Sequence, residues 1–187
     1  MKILLVDNYD SFTFNLFHLL QNKVSIVDVV RNDKINFDKV NLYDKIVLSP
    51  GPGLPSESSL LKPLIEIFSS KKSILGICLG HQAIGEVFGC KLLKMSDVRH
   101  GVKSILTNYD KSDYLFRELN DPVYVGHYHS WYLDKNSITD SIKIIAECDD
   151  IIMALSHQQF DVKGLQFHPE SILTPQGDKL IDNWIAY

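Results

Sequence analysis

The stretch Ser73-Ile74-Leu75-Gly76-Ile77-Cys78-Leu79-Gly80-His81-Gln82 constrains this chain most, because it sets a cysteine between two glycines directly after an apolar run. Ser73 to Leu75 and Ile77 have the character of a buried strand, and Ala83, Ile84, Val87 and Phe88 then fall at helical spacing on one face. Cys78 is thereby placed at a strand-to-helix turn. Glycines on both sides relieve crowding about a strained backbone at such an elbow, the geometry that presents a nucleophile. A cysteine in the first turn of a helix also feels the helix's positive end, which favours thiolate over thiol. The same residues equally describe a small side chain packed in a tight turn, and the elbow alone leaves both readings open.

The preceding half of the chain alternates between strand and helix. Lys2 to Val6 is a short β-rich run, Asp7-Asn8-Tyr9-Asp10 a polar turn, and Ser11 a candidate cap for a helix carrying Phe12, Leu16, Phe17, Leu19 and Leu20. Val24 to Val30 and Lys45 to Leu48 are short, apolar and β-branched, as buried parallel strands are. Ser49-Pro50-Gly51-Pro52-Gly53 forbids helix or strand and predicts a fixed loop at the carboxyl end of the third strand, before a helix opening at Ser58 or Ser59 and running through Phe68. Cys78 and the Pro-Gly loop therefore share the end of the sheet where ligand sites form in open α/β folds.

After Gly89 the pattern turns to β, with strand-like runs at Cys90 to Lys94, Lys103 to Leu106, Val123 to Val125, Ile142 to Glu147, Ile152 to Leu155 and Val162 to Phe167. We read these as extra antiparallel strands attached to the parallel sheet, closed by a helix from about Asp178 to Ala186. With 187 residues and 45% hydrophobic content, one domain spanning 1–187 accounts for the whole length. A net charge of −4 with scattered lysines argues against nucleic acid as the main partner. The apolar run Ile3 to Val6 is too brief for a signal peptide or membrane span, so a cytoplasmic location is expected. Cys78, Cys90 and Cys148 form no C-x-x-C pair, which excludes a disulfide framework or zinc knuckle and makes Cys90 and Cys148 core filler within strands.

A thiol nucleophile needs a base and a group that orients the base. Among seven histidines, His168 ends the apolar run Gly164 to Phe167, and Pro169 stops the strand behind it. Glu170, two residues on, can bond one ring nitrogen and leave the other free for the thiol. A loop histidine beside a solvated glutamate is the plainer alternative. His127-Tyr128-His129 places two histidines on one side of a strand as a candidate metal pair, but it lacks a third ligand, and no metal site is expected. The Pro-Gly loop has no following Gly-Lys-Ser/Thr and is not a P-loop; its backbone N–H groups suit an oxyanion beside a thiolate.

With these pieces in place the chain resembles the class I (triad-type) glutamine amidotransferases, and within them the small subunits of anthranilate synthase and of aminodeoxychorismate synthase. The resemblance runs end to end. It rests on Asp7-Asn8-Tyr9-Asp10-Ser11-Phe12-Thr13, Ser49 to Gly53, Gly76 to Gln82, Tyr128-His129-Ser130 and Gln166-Phe167-His168-Pro169-Glu170-Ser171, in the family's order. It implies a flavodoxin-like, mostly parallel α/β sheet with added antiparallel strands. It further implies that Cys78 is the nucleophile, His168 the general acid/base and Glu170 its orienter. Gly51, Pro52 and Gly53 would help form the glutamine pocket, Leu79 and Gly53 would supply oxyanion N–H groups, Gln82 would contact the substrate, and Ser130 with Trp131 would bind its α-amino-acid end.

The resemblance also implies a partner: a chorismate-using synthase subunit that receives ammonia through a shielded channel, with no cofactor on this chain and any magnesium requirement in the synthase. The motifs lean toward anthranilate synthase and tryptophan supply over aminodeoxychorismate synthase and folate. A free-standing cysteine γ-glutamyl hydrolase would use the same triad without a partner, and a non-catalytic or metal-binding α/β module would leave Cys78 structural. Three positions depart from the pattern. His127 stands where the anthranilate group often has arginine, Trp131 where leucine is commoner, and Lys103 is displaced by one in His100-Gly101-Val102-Lys103-Ser104.

Overall fold

A computed structural model describes residues 1–187, the side chain of Asp97 excepted. Strands β1 (Lys2–Asp7), β2 (Ile26–Arg31), β3 (Lys45–Leu48) and β4 (Ser73–Ile77) lie parallel in the order β2-β1-β3-β4. Beyond β4 the eight-stranded sheet continues through β10 (Val162–Leu165), β9 (Ile151–His157), β8 (Ile142–Cys148) and β6 (Asn108–Tyr109). Strand β10 is the seam between the two halves, running parallel to β4 and antiparallel to β9. Ile3 and Leu5 enter the core on one face of the sheet and Leu4 and Val6 on the other. Burial on both faces is why β1 reads as an unbroken apolar run and not as alternation.

Helices fill both faces. Leu16 and Leu20 of α1 (Thr13–Gln21) and Leu180, Ile181 and Trp184 of α5 (Gly177–Ala186) pack with Ile3, Leu5 and Phe167. On the opposite face Leu61, Leu64, Ile65 and Phe68 of α3 (Leu61–Phe68) and Ala83 and Ile84 of α4 (Leu79–Val87) pack with Leu4, Val6 and Ile46. A short α2 (Phe37–Val40), capped by Asn36, leads into β3. Each fully buried Leu, Ile or Phe contributes about 1.5–3 kcal/mol, so α3 is held by its apolar face far more than by helix propensity.

Several expectations are corrected. The runs Cys90 to Lys94 and Lys103 to Leu106 are not two strands on the main sheet; one strand, β5 (Leu92–Ile105), spans both and pairs only with β7 (Tyr124–Leu133), as a separate two-stranded sheet. Register shifts between Lys94 and Arg99 and between His100 and Val102 absorb the polar residues, with Gly101 at φ 70°. Strand β10 belongs to both sets, parallel to β4 on one side and antiparallel to β9 on the other.

Ser11 does not cap α1. Asp10 Oδ1 accepts from the Phe12 N–H (2.8 Å) and Asp7 Oδ1 from the Thr13 hydroxyl (2.9 Å), which moves the helix start to Thr13. Helix α3 opens at Leu61, after a 3₁₀ turn at Pro55–Glu57 whose Glu57 carboxylate accepts from the Leu54 N–H (3.0 Å), and not at Ser58 or Ser59. Cys148 closes β8, whereas Cys90 is buried just before β5. Among the described residues no helix is long and apolar enough to cross a membrane.

Candidate active site

Cys78 occupies the turn between β4 and α4 with φ 50° and ψ −98°, a backbone region that side chains rarely adopt. Two hydrogen bonds hold it there: its N–H donates to the Leu165 carbonyl (2.7 Å) and its carbonyl accepts from the Gln82 N–H (3.0 Å). The flanking glycines are required by packing. A Cβ on Gly76 would sit 2.4 Å from the Gly80 carbonyl carbon, and one on Gly80 would sit 2.6 Å from the Leu48 oxygen. Strands β3 and β4 thus approach α4 too closely for any side chain at these positions. The thiol itself is nearly enclosed, with 6% exposure.

The residues after β10 deliver His168 to this elbow. Its Nδ1 bonds Glu170 Oε1 at 2.7 Å, and both side chains are buried. A carboxylate accepts, so Nδ1 carries the proton and Nε2, which has no other hydrogen-bond partner in the protein, is left for the thiol. Burial would push the imidazole's pKa down; its contacts with Cys78 and Glu170 outweigh that and raise it to about 10. The ring is fixed by Phe12 and Tyr128, edge-on at 5.6 and 4.9 Å, while the His168 carbonyl accepts from the Thr174 hydroxyl (2.7 Å).

The Pro-Gly loop closes a third side. Asn8 donates from Nδ2 to the Ser49 carbonyl (2.8 Å), and its backbone N–H donates to Ser49 Oγ (2.9 Å). A Cβ on Gly51 would lie 2.6 Å from both Asn8 Cβ and Leu79 Cδ2, so the loop presses against the start of α4. Pro52 and Gly53 are exposed, with Gly53 at φ 72°. Gln82 donates from Nε2 to the Trp131 carbonyl (2.9 Å) and to Gln166 Oε1 (3.2 Å), and Gln166 donates to Cys78 Sγ (3.6 Å). Ser130 and Trp131 are half-buried in β7.

Of the expected residues, Cys78, His168, Glu170, Leu79, Gly51, Gln82 and Trp131 are gathered around the carboxyl ends of β3, β4 and β10, whereas Pro52 and Gly53 are exposed on the loop and Ser130 is half-buried in β7. Sequence reasoning missed Phe12 and Tyr128 as supports of His168, and Gln166 as the amide against the thiol. All three lie within quoted motifs, but only the packing assigns them partners. His127 and His129 lie against each other, Nδ1 to Nε2 at 3.2 Å. Among the described residues no group of three or more His, Cys, Asp or Glu could hold a metal ion.

The model of the class-I glutamine amidotransferase family matches residues 4–186, nearly the whole chain. The chain belongs to the class I glutamine amidotransferases. Its relatives include anthranilate synthase component 2 of Cyanophora paradoxa, 42% identical over 98% of this chain and 97% of that protein. Aminodeoxychorismate synthase component 2 of Klebsiella aerogenes is 41% identical over 98% of each chain, and that of Escherichia coli K12 is 39% identical over 98% of each chain. Among solved structures, a glutamine amidotransferase of Thermotoga maritima superposes with a TM-score of 0.73 at 19% identity, covering 100% of this chain and 81% of that one, and shares the fold. In this amidotransferase the β4 elbow carries Cys78, and the return from β10 brings up His168.

Proposed function

We propose that this amidotransferase hydrolyses glutamine at Cys78 and passes the ammonia to a chorismate-using synthase subunit, as the glutaminase component of anthranilate synthase. The observation that carries the chemistry is the buried His168–Glu170 pair closing on Cys78, with the imidazole's pKa raised through both partners. A proton held on His168 leaves the sulfur as thiolate, which attacks the side-chain amide carbon of glutamine. The resulting oxyanion is stabilised by the N–H groups of Leu79 and Gly53. Leu79 is the first residue of α4, where backbone N–H groups have no intrahelical partner.

His168 then gives its proton from Nε2 to the departing amide nitrogen, releasing ammonia and leaving a γ-glutamyl thioester on Cys78. Water, deprotonated by the same nitrogen, attacks the thioester carbon, and glutamate leaves as the thiolate reforms. Glu170 keeps Nδ1 protonated throughout, so Nε2 is the nitrogen that exchanges the proton.

Relatives that supply aminodeoxychorismate synthase are as similar as those of anthranilate synthase, 41% against 42%, and favour a second reading in which the ammonia serves folate supply. The chemistry on this chain is the same in both. The test is Cys78→Ser in the assembled complex: glutamine-dependent synthesis is lost by at least about 10³-fold while ammonia-dependent synthesis is kept. A parallel fall in both activities would overturn the ammonia-donor role. Reconstitution with each type of large subunit decides between anthranilate and aminodeoxychorismate as product.

A further inference from the structure

Of the four buried histidines outside the triad, two lie on β7, the strand that carries Ser130 and Trp131. His127 is 0% and His129 4% exposed on β7, and their rings lie with centroids 5.4 Å apart. Burial pushes both down, helped by Arg99 at His127 and by His127 at His129, to about 4 and about 3, so both rings are neutral. A neutral imidazole has one donor and one acceptor, and a single fixed partner decides which nitrogen is which. Here that partner is a carbonyl. His129 Nδ1 lies 3.0 Å from the Trp131 oxygen, which can only accept, so the proton of His129 is on Nδ1. His129 Nε2 then accepts, and His127 must donate to it from Nδ1 across 3.2 Å. His127 Nε2 is left as a buried acceptor without a protein partner, as Arg99 Nη1 is left as a buried donor.

The Trp131 carbonyl is also the acceptor for Gln82 Nε2, whose second N–H goes to Gln166, whose amide in turn reaches Cys78 Sγ. We propose that His127 and His129 are positioning residues, a directional hydrogen-bond relay that holds the Trp131 carbonyl and, through Gln82 and Gln166, sets the glutamine pocket in register with Cys78. This rests on the reading above, in which Ser130 and Trp131 take the α-amino-acid end of glutamine and Gln82 touches it. Without the relay the carbonyl at the end of β7 has one tether instead of two, and Gln82 follows it. The thiolate, imidazole and oxyanion donors stay where they are. The relay therefore acts on substrate binding more than on turnover.

The measurement is glutaminase kinetics of the assembled complex. His129→Leu removes the tether; His129→Asn keeps a donor at the Nδ1 position and restores it. His129→Leu is expected to raise KM for glutamine about ten-fold with kcat within about two-fold of wild type, the loss of a buried hydrogen bond to a fixed carbonyl. His129→Asn is expected to return KM to within about two-fold. A variant that merely folded poorly would lower kcat through the active fraction and leave KM alone. If His129→Leu does not fold, His127→Leu, which keeps the tether but leaves His129 Nε2 a buried acceptor without its donor, is expected to raise KM about three-fold. A wild-type KM in His129→Leu, or equal shifts in the Leu and Asn variants, overturns the relay. Retained glutamine turnover in Cys78→Ser would instead overturn the reaction itself, so the two failures are distinguishable.

Discussion

His168 draws opposing effects into one ring. Burial disfavours its charge, yet Cys78 and Glu170 raise its pKa above the ordinary 6.5 to about 10. Because the folded value lies above the unfolded one, this contribution to stability is complete below pH 6.5 and is lost as the pH climbs through about 10. Glu170→Gln is expected to cost about 3 kcal/mol near pH 6.5 and much less near pH 10, measured by urea unfolding at both. An equal cost at the two pH values would mean that Glu170 acts by packing alone. The His168–Glu170 pairing was legible in sequence, since a carboxylate two residues from an imidazole can reach Nδ1, although β10 ends at Leu165 and Pro169 does not stop it. The support from Phe12 and Tyr128 was not, because edge-on ring contacts between α1's entry and β7 carry no local spacing.

Among the elements, the β1–α1 connection shows how capping by proxy displaces a boundary. Asp7 Oδ1 accepts from the Tyr9 N–H (2.9 Å) as well as the Thr13 hydroxyl (2.9 Å), so the last residue of β1 organises the loop that Ser11 was expected to cap. Asp7→Ala is expected to destabilise the chain by about 2 kcal/mol in thermal unfolding and to lower glutaminase activity, since Asn8 and Phe12 flank the Pro-Gly loop and His168. Strands β1, β3 and β4 were legible because burial on both faces makes them continuous apolar runs. Strands β5 and β7 were legible only in pieces. Their polar residues, Arg99, His127, His129 and Ser130 among them, give no clean period, and a bulge lets one strand cross what reads as a gap.

At the scale of the whole molecule, β10 joins the parallel and antiparallel halves and then runs directly into the segment bearing Gln166, His168 and Glu170. Its position is locked by Lys163, whose Nζ pairs with Asp113 Oδ2 at 2.5 Å and donates to Ser156 Oγ at 2.8 Å, with both charged side chains at most 10% exposed. Removing one member strands the other charge in the interior, so Asp113→Ala is expected to cost about 3 kcal/mol by urea denaturation. Replacing both, as Asp113→Leu with Lys163→Met, is expected to recover most of that loss. If the double substitution were as damaging as the single one, the pair would not be the cause.

The amino-acid sequence by itself determined the α/β class, the parallel strands, the glycine-flanked elbow at Cys78 and the local pairing of His168 with Glu170. Each of these follows from spacing within a few residues: apolar runs for strands buried on both faces, glycines where backbones meet, a carboxylate two positions from an imidazole. Tertiary structure alone decided that β10 lies parallel beside β4 and so carries His168 to Cys78. It alone separated β5 and β7 from the main sheet, and set His127 against His129 and His129 against the Trp131 carbonyl. Those outcomes depend on strand order, direction and register, which long-range packing selects and which no local pattern of residues encodes.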